Sequence, residues 1–184
     1  IFKHNLMAKL LSIKSVSNKK ARILIDDFLN TFNNIDFSFH IKDIPYGING
    51  LLYQKLYPYL DTLDIKIDNL IDYDIFGVLT PRRYNVFIEK MIIALDNAID
   101  ASLKSVEKLL IINLFELNGN IVIEIKNTFS HKINLDNVGS KNYSTKGKGR
   151  GLGLFSALRD KEAVMTVKII NSLFVSRVSV KKIK

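Results

Sequence analysis

Lys146-Gly147-Lys148-Gly149-Arg150-Gly151-Leu152-Gly153-Leu154 holds four of the chain's nine glycines, alternating with three cations. Alternating glycines let a backbone approach a ligand closely and turn successive N–H groups into one concavity. A short helix is expected after Gly153; a helix start favours negative charge, and the cations add to that attraction. The pattern reads as a polyphosphate cradle contacted through Lys146, Lys148, Gly149, Arg150, Gly151, Leu152 and Gly153. It lacks the G-x-x-x-x-G-K-[ST] of a Walker loop and the G-x-G-x-x-G spacing of dinucleotide folds. The alternative is a flexible surface loop that is merely basic.

Upstream lies Leu95-Asp96-Asn97-Ala98-Ile99-Asp100-Ala101-Ser102, within a long helical pattern. Asp96, Asn97 and Asp100 fall within one turn and share a polar stripe, while Ile88, Ile92, Leu95 and Ile99 are expected to face inward. Asn is a mediocre helix former, so one in a helix interior needs either solvent or a function. Oxygen ligands gathered there suit Mg²⁺, which takes a few carboxylate or amide oxygens together with ligand phosphates. A solvated helix face is the other reading of this stripe.

The rest of the chain supplies the frame. Phe2, Leu6, Leu10 and Ile13 recur at helical spacing. After the break at Ser17-Asn18-Lys19-Lys20 comes a second periodic run, Ala21, Leu24, Ile25, Phe28, Leu29, Phe32 and Ile35. Two amphipathic helices joined by a polar turn form a hairpin, and two such hairpins cover each other's apolar faces as a four-helix bundle. The pattern stops around Asp43-Ile44-Pro45-Tyr46-Gly47, which divides the chain into 1–46 and 47–184. A short helix is expected over 48–57, and a half-buried strand at Ile65-Lys66-Ile67-Asp68. The longest helix should begin at Thr80-Pro81 and end near Lys104. Residues 109–117 and 121–127 flank Asn118-Gly119-Asn120 as a hairpin, and 164–170 and 174–180 flank Asn171-Ser172 as another. The fold class is therefore α+β: an N-terminal helical hairpin, then an α/β sandwich with a mixed sheet.

Composition narrows the function. The 184 residues are 47% hydrophobic and 24% charged, which is globular and excludes a disordered tail. Without cysteine, disulfide scaffolds, thiolate zinc sites and cysteine nucleophiles are ruled out. No apolar run approaches the roughly 18 residues that cross a bilayer, so this fragment is expected to be soluble. The first residue is Ile1 and a helical pattern begins at once, so further chain is expected upstream. Of the net charge of +9, residues 131–184 carry 12 Lys/Arg against 3 Asp/Glu, whereas 47–130 carry 8 against 11. A basic final third points to an anionic partner or to a solvated basic surface. With no recognised nucleic-acid-binding motif beside it, nucleic acid is not the expected partner.

The helix Asn, the intervening hairpin and the basic glycine loop, in that order, resemble the Bergerat nucleotide-binding fold. Its superfamily, GHKL, takes in gyrase, a heat-shock chaperone, histidine kinases and mismatch-repair ATPases. Asp96-Asn97-Ala98-Ile99-Asp100-Ala101-Ser102 resembles the N box and Gly149-Arg150-Gly151-Leu152-Gly153-Leu154 the second glycine box. Tyr143-Ser144-Thr145-Lys146-Gly147 resembles the "F-S-T-K-G" lid segment of one histidine-kinase branch. That branch comprises the peptide-pheromone receptor kinases of Gram-positive bacteria, of the agr and competence type. Phe2-Lys3-His4-Asn5 is similar to its "F-[RK]-H-[DN]" phosphoacceptor box.

The resemblance implies a cytoplasmic catalytic core of a quorum-sensing sensor histidine kinase, with ATP and Mg²⁺ as cofactors. It implies a homodimer through the N-terminal hairpin, phosphotransfer from ATP to His4, and a response-regulator Asp as the next acceptor. A membrane would enter only through an upstream sensor. Asn97 would hold Mg²⁺, and Asp100, Asn127 and the glycine loop would contact the nucleotide. Departures qualify this. The superfamily's hydrolases carry a Glu four residues before the N-box Asn, where this chain has Ile93, which cannot take a proton from water. Asp100 stands where orthodox histidine kinases have a basic residue. The first glycine box, D-x-G-x-G, gives way to Asn127-Thr128-Phe129, where the Asn127 amide oxygen could accept from an adenine amino group or simply cap a strand. Asn5 replaces the acid that helps deprotonate the histidine in many relatives, leaving His4 to its own neutral fraction. A catalytically silent ATP-binding dimeric module is the alternative.

Overall fold

The structure, a computed structural model, describes residues 18, 19, 21–23, 44, 45, 47–72, 74–130, 133, 134, 138, 157–159 and 161–182. The chain divides into two compact units, Ile1–Lys42 and Asp43–Lys184. In the first, Asn18 starts a helix: its Oδ1 accepts the Ala21 N–H at 3.0 Å and its carbonyl accepts the Arg22 N–H at 3.0 Å. The polar break in the sequence is thus a helix cap, satisfying donors that have no partner within the helix. The remainder of the expected hairpin lies outside the described residues.

The second unit opens with α1 (Asn49–Leu56), which runs into a 3-10 turn, Tyr57–Tyr59, carrying Pro58. Strand β1 (Asp64–Asn69) and a second 3-10 turn, Ile75–Val78, precede α2 (Pro81–Lys104). Strands β2 (Leu109–Leu117), β3 (Asn120–Asn127), β4 (Ala163–Ile170) and β5 (Leu173–Lys181) complete it. The sheet order is β1-β2-β3-β5-β4, with β1 parallel to β2 and every other pair antiparallel, so the sheet is mixed.

Local chemistry sets the boundaries. Pro81 occupies the first turn of α2, where its missing N–H costs nothing, and the Thr80 hydroxyl accepts the Arg83 N–H at 3.3 Å. Asn118 and Gly119 (φ 50° and 74°) turn β2 into β3, and Asn171 and Ser172 (φ 48° and 63°) turn β4 into β5. Two consecutive positive φ values make the twist of a two-residue loop match that of its strands.

The core lies between α2 and one face of the sheet. Helix α2 packs across β2, β3, β5 and β4. Leu114, Ile123, Val178 and Met165 stand side by side in register across four strands, all buried. Phe87, Met91, Ala94, Leu95, Ala98 and Ile99 bury the facing stripe of α2. A large apolar side chain fully removed from water contributes about 1.5–3 kcal/mol, so this layer dominates the fold's stability. Ile88 and Ile92, expected to face inward, are half-buried at the stripe's margin, because the stripe rotates toward Phe87 and Met91.

Cations fasten the start of α2 to the far end of the sheet. Glu162 meets the Arg82 and Arg83 guanidinium groups at 3.4 and 3.5 Å, and Arg83 also donates to the Lys181 carbonyl at 3.2 Å. Lys90, one of the buried residues of α2, donates its ammonium to the Ala163 carbonyl at the head of β4. Tyr84 donates to the Gly47 carbonyl at 2.9 Å, fixing the start of the unit against the same helix.

Candidate functional site

Two of the residues singled out by the sequence stand on α2. Asn97 and Asp100 are half-buried there, on the face adjoining the buried stripe, whereas Asp96 is exposed. The Asp96 carboxylate is taken by Lys55 of α1 at 2.7 and 3.0 Å, an ion pair that braces α1 against α2. Ile93, one turn before Asn97, is half-buried.

Asn127 ends β3 and is 1% exposed. Its Nδ2 donates to the Thr128 carbonyl at 2.8 Å. A carbonyl can only accept, so this bond fixes which end of the amide is nitrogen and leaves Oδ1 as an acceptor. Thr128, also buried, closes a polar chain back to α2. The Leu109 N–H donates to the Thr128 hydroxyl at 3.1 Å, the Thr128 N–H donates to the Leu109 carbonyl at 3.1 Å, and the Ser102 hydroxyl donates to that carbonyl at 2.9 Å. The helix carrying Asn97 and the strand end carrying Asn127 are thereby joined through Ser102, Leu109 and Thr128. Sequence reading passed over Ser102 and Thr128 as site supports. Their only signal is a hydroxyl within two residues of a strand or helix end, where orphan backbone groups need partners.

The remaining expected site residues, His4, Asn5, Lys146, Lys148, Gly149, Arg150, Gly151, Leu152 and Gly153, lie outside the described residues, as does most of the helix expected after Gly153. Among the described residues no three acidic or imidazole groups converge on a metal site. The donor set on α2 is one amide, Asn97, with a carboxylate one turn on, Asp100. Such a set fits Mg²⁺ as an ion held chiefly by phosphate oxygens and water, with a single protein ligand.

A family model described as the GHKL domain matches residues 86–180, more than half of the chain, from the second turn of α2 to the end of β5. The chain belongs to the GHKL family. GHKL ATPase domains bind ATP, usually with Mg²⁺. Among solved structures, two nucleotide-free forms of the catalytic domain of the histidine kinase ThkA are similar to this GHKL chain. One superposes with a TM-score of 0.51 at 17% identity and the other with 0.53 at 14%, each covering 74% of this chain and 93% of that one. The histidine kinase AdeS of Acinetobacter baumannii gives a TM-score of 0.48 at 12% identity over 99% of this chain and 96% of its own. The mixed sheet and its helix layer are similar in fold to the catalytic domain of ThkA. No curated protein matches the chain. No helix among the described residues is long and apolar enough to cross a membrane.

Proposed function

We propose that this GHKL chain is the cytoplasmic catalytic core of a sensor histidine kinase of the peptide-pheromone branch, dimerising through residues 1–46 and binding ATP through 47–184. The observation that carries the reading is the tie between α2 and the end of β3. It joins the end of the helix that carries Asn97 to the strand end that carries Asn127, and this supports a nucleotide that uses both residues.

The chain's own residues divide the work. Asn127 Oδ1 accepts from the adenine amino group, taking the place of the absent first-glycine-box Asp. Asn97, with Asp100 nearby, supplies the protein oxygen for Mg²⁺, which when bound neutralises charge on the phosphates. Lys146, Lys148, Arg150 and the N–H groups of Gly149, Gly151, Leu152 and Gly153 orient the triphosphate. A neutral nitrogen of His4 attacks the γ-phosphorus; the N–P bond forms, the bond from that phosphorus to the β,γ-bridging oxygen breaks, and ADP leaves. The acceptor for the next transfer is an Asp of a response regulator. Ile93, standing where hydrolases place a base, offers no group to activate water, so the phosphoryl group is kept for the imidazole. Positioning and electrostatics supply most of the catalysis.

Incubation with Mg²⁺ and γ-labelled ATP tests this, beside His4→Gln and Asn97→Ala chains. Acid-labile label on the parent chain that is absent from His4→Gln establishes the phosphoacceptor. Nucleotide affinity unchanged in a folded Asn97→Ala chain would sink the site assignment. Firm ATP binding with no label favours the silent module, a reading to which Asn5 in place of the usual acid lends support.

A further inference from the structure

The sheet has two free edges among the described residues, and they differ in chemistry. Edge strand β1 sets Asp64, Lys66 and Asp68 on successive outer-face positions, so half of its residues repel or solvate an approaching strand. Edge strand β4 reads Ala-Val-Met-Thr-Val-Lys-Ile-Ile and carries one charge, Lys168. Its outer-face residues alternate Val164, Thr166, Lys168 and Ile170, and the two aliphatic ones are 51% and 39% exposed. An edge this long, β-branched and sparsely charged is a template for another strand.

The two-residue Asn171-Ser172 turn makes Ile170 and Leu173 the hydrogen-bonded pair that closes the hairpin. Alternation then directs the backbone groups of Val164, Thr166, Lys168 and Ile170 toward β5, and those of Met165, Val167 and Ile169 outward. The Ala163 carbonyl is already taken by Lys90, which sets one limit of the open stretch.

We propose that β4 of one copy of this chain pairs antiparallel with β4 of a second copy, about a two-fold axis through Val167. In that register each outward N–H and C=O of Met165, Val167 and Ile169 meets a partner. On the outer face Val164 stands opposite Ile170 of the second copy, so the two exposed aliphatic positions of the strand cover each other. Lys168 stands opposite Thr166. Centring on Lys168 would set two ammonium groups face to face, and centring on Thr166 would set Val164 against Lys168 and leave Ile170 unmatched. The pairing joins both sheets into one and is isologous, the symmetry of most homodimers. It does not depend on the kinase reading.

The absence of cysteine from the chain makes the register directly readable. Full-length Thr166→Cys and Lys168→Cys chains are prepared separately, mixed in equal amounts and oxidised. The two positions form a non-hydrogen-bonded cross-strand pair, with Cα atoms about 4.5 Å apart, within disulfide reach. The expected result is a disulfide-linked dimer in the mixture and none from either variant alone. Adding Val164→Lys to both chains is expected to abolish the band without altering thermal unfolding, since that side chain is exposed. A band from Thr166→Cys alone, equal bands in all samples, or no band in the mixture would each overturn the proposal; the last also covers an edge held by some other partner.

Discussion

Glu124 lies in the centre of the sheet on the face away from α2, 6% exposed, with Arg177 and Lys126 against its carboxylate. The Arg177 guanidinium also sits 5.8 Å from the centre of the Phe115 ring, which holds it over the strand. Burial pushes the Glu124 carboxyl up, but hydrogen bonds and charge from Arg177 and Lys126 more than offset it, and its pKa falls below the ordinary value. A carboxyl lowered on folding contributes stability above its unfolded pKa, and that contribution is lost as pH falls through the folded value. Glu124→Gln is therefore expected to destabilise the fold by about 1–2 kcal/mol near neutrality, the lower part of the range for charged hydrogen bonds because Arg177 is a third exposed. Urea unfolding at a series of pH values checks this: the gap between the two proteins should narrow as the pH drops below that of a free carboxylate. A gap independent of pH would show that the charge is not what matters. Nothing in the sequence marked Glu124, since its partner is 53 residues away and paired across the β3–β5 ladder. Asn97 stands out in the sequence because an Asn inside a long amphipathic helix breaks a local rule.

At the scale of elements, the two hairpins and α2 were legible to within a residue or so. Each carries its stop signals in its own sequence: Asn-Gly and Asn-Ser at the turns, Thr-Pro at the helix start. The Thr80 cap makes this testable. Thr80→Ala removes the acceptor for the Arg83 N–H and is expected to cost about 1 kcal/mol. The urea midpoint should fall with an unchanged denaturant slope. A wild-type midpoint would mean that Pro81 and the Glu162 ion pairs hold the helix start by themselves. The strand at 64–69 was also legible from its alternation, but its parallel pairing with β2 was not, because no adjacent turn specifies it.

For the whole molecule, the division into two compact units sets the expectation that the second folds alone. We expect the fragment Asp43–Lys184 to unfold cooperatively and to be stabilised by Mg²⁺ and ATP, by about 2.7 kcal/mol at a hundred times its Kd. It should acquire no label from γ-labelled ATP, because the proposed acceptor His4 is on the other unit. Thermal unfolding with and without nucleotide, with labelling alongside, tests both halves. A fragment that labels itself would move the acceptor out of the first unit.

Among the described residues from 47 on, the sequence by itself determined which segments are helix and strand and where the turns fall, and it holds the residues that resemble the N-box and glycine-loop patterns. Those follow from periodicity and from backbone preferences that act over a few residues. Only the tertiary structure decided the strand order, with β5 lying between β3 and β4. It alone also decided the burial of Lys90 and Glu124 and the chain of hydrogen bonds that joins Ser102 to Asn127 through Leu109 and Thr128. These depend on which apolar faces close on one another, and on polar groups finding partners once water is excluded. That is a competition among segments far apart in the chain, which no local pattern encodes.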